Sequence, residues 1–201
     1  MKKNKKINRI LIMAGGTGGH VFPGLVVAEY FRDQRVDVHW LGTHQGLESR
    51  LVPNANFTLH YINIRGLRGK GWKSVITAPF KIMMAIIQAK RIIQSLQPDI
   101  VLGMGGFVSG PGGIASWLLR YPLIIHEQNA VAGLTNKILL RFASQVFTGF
   151  PGVLTAQTKV HVIGNPVRRE IECLPSPAER FSSPLISSGT RSLRLPSGRC
   201  R

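Results

Sequence analysis

The chain has 201 residues, of which 44% are hydrophobic, and a formal net charge of +17. That is length for one well-packed core, with or without an extension. No stretch reaches the roughly 20 apolar residues that a membrane-spanning helix needs. The two cysteines, Cys173 and Cys200, match neither a metal-ligand spacing nor a disulfide framework, which points to a reducing compartment.

Residues 1–8 form a basic arm that resembles the start of a signal sequence, but the following apolar run, "ILIMA", is too short for one. From Arg9 onward, short apolar runs alternate with helical patterns. "RILIMA" reads as a buried strand, and "FPGLVVAEYFRDQ" as a helix with Pro23 tolerated near its first turn. "VDVHWLGT" is the next strand, "QGLESRLV" a short helix and "FTLHYINI" a third strand. A long helix is predicted from about Ser74 to Gln97, because Ile76, Phe80, Met83, Met84, Ile87 and Ile92 recur at helical spacing. "PDIVLGMG" is a fourth strand, "GGIASWLLR" a helix and "YPLIIHEQ" a fifth strand. "GLTNKILLRFA" is a helix, "QVFTGF" a sixth strand and "KVHVIG" a candidate seventh. Strands without polar alternation, separated by helices, imply an α/β fold with a parallel sheet covered on both faces. The pattern stops at residue 171. Residues 172–201 are rich in Ser, Pro and Arg without a sustained period and read as a disordered C-terminal tail.

The charge excess does not come from the ends alone, since residues 10–171 carry 16 basic and 7 acidic residues. A polyanionic partner follows: nucleic acid, a phosphorylated substrate or an anionic membrane surface. The chain shows no RNA-recognition, helix-turn-helix or zinc signature, so nucleic acid ranks last.

Three strand-to-helix loops carry chemistry. "AGGTGGHVFPG" (14–24) puts four glycines around Thr17 and ends at His20. It fits neither the dinucleotide fingerprint nor the P-loop. Bare backbone before a helix N-terminus still suits a phosphate, and His20 is a candidate general base. "GMGGFVSGPGG" (103–113) has six glycines in eleven residues, with Gly105 and Gly106 leaving the strand and Ser109 able to donate a hydroxyl. Two such loops at one end of a sheet suit a pyrophosphate. "HEQNAVAGLTNK" (126–137) places four polar residues directly after a buried strand, which is costly unless they are used or solvated. Glu127 is a candidate base or orienter and Asn129 a candidate sugar ligand, and Gln128 reads as the member most readily left to solvent. A fourth stretch, residues 64–84, sets Arg65, Arg68, Lys70 and Lys73 beside Trp72, Ile76 and Phe80. It fits either an anionic membrane surface or a core-facing helix.

With "GNPVR" at 164–168, these motifs in this order resemble the MurG family of bacterial glycosyltransferases over about residues 9–171. The resemblance implies a Rossmann-like parallel sheet with helices on both faces, the N-terminal domain of a GT-B fold. It implies transfer of N-acetylglucosamine from UDP-GlcNAc to lipid I, the undecaprenyl-pyrophosphoryl muramyl-pentapeptide, with inversion and without a metal or other cofactor. It places Gly105 and Gly106 toward the acceptor pyrophosphate, and Thr17, Gly18, Gly19, Asn129 and Arg168 toward the donor. His20 becomes the first candidate for the base and Glu127 the second. Trp72, Ile76, Phe80 and Trp117 become a membrane patch on the cytoplasmic face of the inner membrane. Chains of this family are about twice as long and carry a second, donor-binding domain. That domain is not found in this sequence, so residues 172–201 are expected to be frameshifted or truncated and the chain inactive alone, or a remnant that binds lipid I or membrane without catalysis.

Overall fold

The computed structural model describes residues 6–64, 72–154, 158–168, 171, 173 and 174, with backbone alone for 72–76. The chain divides into two units, residues 1–166 and 167–201. The expected tail from 172 lies almost wholly outside the described residues.

The first unit is a seven-stranded parallel sheet. Its strands are β1 (Arg9–Ala14), β2 (Asp37–Gly42), β3 (Thr58–Tyr61), β4 (Ile100–Gly105), β5 (Leu123–Glu127), β6 (Gln145–Thr148) and β7 (Val160–Val162). Their order across the sheet is β3-β2-β1-β4-β5-β6-β7, so the direction of winding reverses between β1 and β4. In sheets of this kind ligands bind in the crevice at that reversal, beyond the carboxyl ends of the strands.

The period of two along each strand builds two cores. Ile10, Ile12 and Ala14 face α1 (Gly18–Asp33) and α2 (Glu48–Asn54), packing with Val21, Trp40, Val52 and Met104. Leu11 and Met13 face the other way, among Ala85, Ala89, Ile93, Ala115 and Leu139. Those residues come from α3 (Trp72–Leu96), α4 (Ser109–Leu118) and α5 (Leu134–Leu139). Nearly continuous apolar strands follow directly, because neither face of a central strand meets water.

Two helices start earlier than expected. α1 begins at Gly18 and α4 at Ser109, so much of both glycine-rich stretches is helix. Several of these glycines serve packing. A Cβ on Gly24 would stand 2.6 Å from the Trp40 ring, and one on Gly112 would collide with the Met13 sulfur. The turns between strand and helix are therefore short, residues 15–17 and 106–108.

Candidate functional site

At the reversal, the register of β1 against β4 slips between Met13 and Ala14. Side chains take the carbonyls at the strand end. The Trp40 indole donates to Ala14 O at 2.9 Å, and the Ser109 hydroxyl donates to Met13 O at 3.0 Å. Ser109 also lies 2.8 Å from Gly105 O and is fully buried. Its hydroxyl is thus committed to joining β1 to the β4 turn, and the expected donation to a ligand gives way to a positioning role.

The first glycine turn is fixed from below by a residue that the sequence reading does not single out. Glu48 is fully buried, and its carboxylate accepts from Gly16 N, Thr43 N and the Thr43 hydroxyl at 2.9–3.0 Å. The Gly16 N–H therefore faces Glu48 and not the crevice. The amide groups left at this turn belong to Gly18 and Gly19, in the first turn of α1, where no carbonyl of the helix can reach them. Thr17 stands exposed at the N-cap with no side-chain capping bond. The signal for Glu48 was available in Gly42 and Gly46, which leave it room: a Cβ on either would meet its side chain.

The second turn lies against the first. Gly106 has φ +80°, and its Cα packs on the Gly15 carbonyl so closely that a Cβ would overlap it. Gly105 has φ +109°, and a Cβ there would stand 2.6 Å from His20 Nδ1. His20 occupies the first turn of α1 and packs on this bare strand end.

The third stretch completes the arrangement. Gln128 is buried, its amide nitrogen facing the Met104 sulfur at 3.9 Å and its oxygen 3.1 Å from His20 Nδ1. An amide oxygen only accepts, so it is Nδ1 of His20 that donates in this contact, and the tautomer that does so presents its lone pair on Nε2. The expectation that Gln128 is left to solvent is corrected. Asn165 donates to Gln128 O at 3.0 Å, so the "GNP" segment holds the same loop. His20, Gly105 and Gln128 thus meet at one point, drawn from the ends of three strand-to-helix connections.

Glu127 points to the other side of β5, as successive residues of a strand must. Its carboxylate is buried and receives Asn129 N at 3.1 Å, Asn129 Nδ2 at 2.8 Å, Gly133 N at 2.9 Å and Asn136 Nδ2 at 2.9 Å. Burial pushes its pKa up, but those four bonds outweigh it and hold the carboxyl below its ordinary range. A carboxylate engaged in this way is a poor proton acceptor. The geometry makes Glu127 the clip that orders residues 128–136, with Asn129 held at the exposed rim. Arg168 belongs to the second unit, outside the domain that carries this site.

Next to Glu127, His126 is buried and donates from Nε2 to Gly164 O at 3.0 Å. Burial pushes its pKa below the ordinary value of 6.5, with the Gly164 bond and Glu127 in opposition. A histidine held neutral in the fold takes up its proton more readily in the unfolded chain. Stability is therefore fully present above about pH 6.5 and is lost as pH falls toward the folded value. The expected result is a urea midpoint that drops between pH 7.5 and 5.5, while the His126 resonance titrates below the ordinary histidine value. A flat midpoint would contradict it. The carboxylate of Glu127 adds a second loss, below its ordinary value of 4.5.

On α3, Phe80, Met83, Met84 and Ile87 form a stripe with 36–71% of each residue exposed, and Trp117 on α4 is 49% exposed. The core-facing alternative is therefore corrected for Phe80 and Met83. The side chains of Trp72 and Ile76, with Arg65, Arg68, Lys70 and Lys73, lie outside the described residues. Among the described residues, no helix is long and apolar enough to cross a membrane.

The sequence and the fold both find relatives. Residues 10–148 match the glycosyltransferase family 28 N-terminal domain. A protein of Aliivibrio salmonicida named UDP-N-acetylglucosamine–N-acetylmuramyl-(pentapeptide) pyrophosphoryl-undecaprenol N-acetylglucosamine transferase is 51% identical over 199 residues. The match covers 96% of this chain and 55% of that one, and so runs well past residue 172. The protein of the same name in Proteus mirabilis is 52% identical over 178 residues, covering 89% of this chain and 49% of its own. Among solved structures, MurG of Acinetobacter baumannii superposes with a TM-score of 0.70 at 43% identity, over 82% of this chain and 48% of that one. The chain spans about half the length of the curated relatives it matches.

Proposed function

The chain belongs to glycosyltransferase family 28, whose N-terminal domain it carries, and on that premise we propose that it is the acceptor-binding part of an inverting N-acetylglucosamine transferase. The donor is UDP-GlcNAc and the acceptor is lipid I, in agreement with the names of its relatives. One observation carries the reading: His20 stands at the β1/β4 crevice, its Nδ1 held 3.1 Å from the Gln128 side-chain oxygen and its ring packed on Gly105. The acceptor hydroxyl attacks the anomeric carbon, His20 Nε2 takes its proton, and UDP leaves from the opposite side, without a covalent glycosyl-enzyme. The amide groups that open α1 and α4 face the pyrophosphate, where the helix dipoles favour negative charge. Thr17, Gly18, Gly19 and Asn129 serve the donor.

The test is transfer of radiolabelled GlcNAc to a soluble lipid I analogue, with the remaining half of a relative supplied as a fused or separate chain. His20→Ala is expected to lower turnover by about 10²- to 10⁴-fold, and Gln128→Ala by less. Unchanged turnover in His20→Ala would remove the base role. Failure of the 201-residue chain to bind the analogue would remove the acceptor reading.

The α3 stripe and Trp117 dock this domain on the cytoplasmic face of the inner membrane, with the basic excess turned to anionic lipid. Phe80→Ser combined with Trp117→Ser is expected to weaken sedimentation with anionic vesicles by about tenfold or more. Equal binding by the double variant would place the contact elsewhere.

A further inference from the structure

Away from the crevice, on the β2–β3 side of the sheet, three polar side chains line up on one face. Asp37 and His39 are alternate residues of β2 and so point the same way. His60 of β3 joins them, because it pairs with Leu41, the next residue of β2 on that face. The chain of contacts is continuous. Arg9, which pairs with Asp37 from β1, donates from Nε to Asp37 Oδ2 at 2.6 Å. The same carboxylate oxygen lies 3.1 Å from His39 Nε2. Across that ring, His39 Nδ1 lies 3.1 Å from His60 Nε2.

A carboxylate only accepts, so it is Nε2 of His39 that donates to Asp37, and the tautomer that does so presents its lone pair on Nδ1. That lone pair faces a second imidazole. The separation of the two nitrogens is also that of neighbouring ligands on one ion. With metal–nitrogen bonds of about 2.0–2.1 Å, nitrogens 3.1 Å apart subtend about 100°, between the square-planar and tetrahedral angles. The rings are tilted 42° to each other, and turning them aims both lone pairs at such an ion with no change in the nitrogen spacing. His60 takes part once its own proton sits on Nδ1. A carboxylate that receives the far N–H of a ligand histidine is the usual outer partner in metal sites, where it fixes ring and tautomer. Asp37 stands there, held in turn by Arg9. The cluster is open to solvent, with the Asp37 side chain 48% and the His39 side chain 15% exposed. Among the described residues, no group of three His, Cys, Asp or Glu side chains surrounds an ion position. Two imidazoles are therefore the protein's share, and water supplies the remaining ligands.

We propose that His39 Nδ1 and His60 Nε2 together bind one divalent transition ion of the borderline class that includes Zn2+, with Asp37 as the outer partner of His39. The ion ties β3, the edge strand, to β2, its sole neighbour in the sheet. The site takes no part in sugar transfer and stands or falls independently of the acceptor reading.

The experiment titrates the 201-residue protein with Zn2+ in buffer free of chelators and follows the histidine ring resonances. The His39 and His60 rings are expected to shift together at one equivalent, and the urea midpoint to rise with Zn2+. His60→Ala is expected to abolish the His39 shift and the rise in midpoint, while His161→Ala leaves both in place. Asp37→Asn keeps both ligands and is expected to weaken binding by about 10- to 100-fold. The urea midpoint without metal shows whether each variant folds. Zn2+ binding that leaves the two rings unmoved, or that persists at equal affinity in a folded His60→Ala protein, overturns the proposal and leaves the pair a hydrogen bond between imidazoles. Undiminished affinity in Asp37→Asn overturns the part given to Asp37.

Discussion

Gly106→Ala is expected to destabilise the domain by at least about 3 kcal/mol, and the variant to accumulate poorly. Two costs add at this position. A residue with a Cβ at φ +80° pays about 1–2 kcal/mol for the left-handed region. The methyl would also overlap the carbonyl oxygen of Gly15, which is backbone and cannot rotate away. Relief requires the two glycine turns to separate. Gly152 provides the control. Its φ is +74°, and nothing lies within 4 Å of a Cβ placed there. Gly152→Ala should therefore cost only the conformational share, about 1–2 kcal/mol. Urea unfolding of the two variants measures the difference directly. Equal losses would mean that the Gly15–Gly106 contact carries no stability of its own.

Glu127→Ala is expected to cost about 3–5 kcal/mol, the range for a buried charged group whose partners are left behind. The substitution strands four donors: two from Asn129 and one each from Gly133 and Asn136. Glu127→Gln should lose less, since its amide oxygen still accepts on one side while its nitrogen meets a donor on the other. The same pair of variants decides the chemical role. If Glu127 acts only by ordering residues 128–136, the Gln variant retains most of its turnover in the transfer assay wherever it remains folded. A Gln variant that folds as stably as the parent and yet loses turnover by 10²-fold or more would make Glu127 the base.

The elements were legible because apolar runs without polar alternation identify buried strands, and the long α3 pattern identifies its helix. The helix starts were not. Glycine is a poor helix former, so residues 18–21 and 109–111 read as loop, and the second helix is expected only from Gly112. Gly112 and Gly113 are glycines because Met13 and Leu139 leave no room for a side chain there. His20 was legible by position, as the residue that ends a glycine run after a strand. Its orienter was not, because a buried Gln and a solvated Gln look alike until the fold brings β5 beside β4. Glu127 was legible as an acid in an expensive place, but its function depends on Asn136, nine residues on, facing the same way. Phe80 and Met83 show the converse. Helical spacing identified a face, and only packing decided that the face is bare.

The tie between His20 and Gln128 spans 108 positions, and Asn165 reaches back a further 37 to hold the same loop. Such contacts carry a large loop-closure entropy and form late when a chain folds. β1 leaves the ribosome early, yet its central place requires β4, and the side chain that orients His20 arrives only after β5. A nascent chain therefore carries the first glycine turn for most of its synthesis with the histidine unanchored. The imidazole becomes fixed only as the final strands dock, so a reporter of its orientation would also time the end of the domain's maturation.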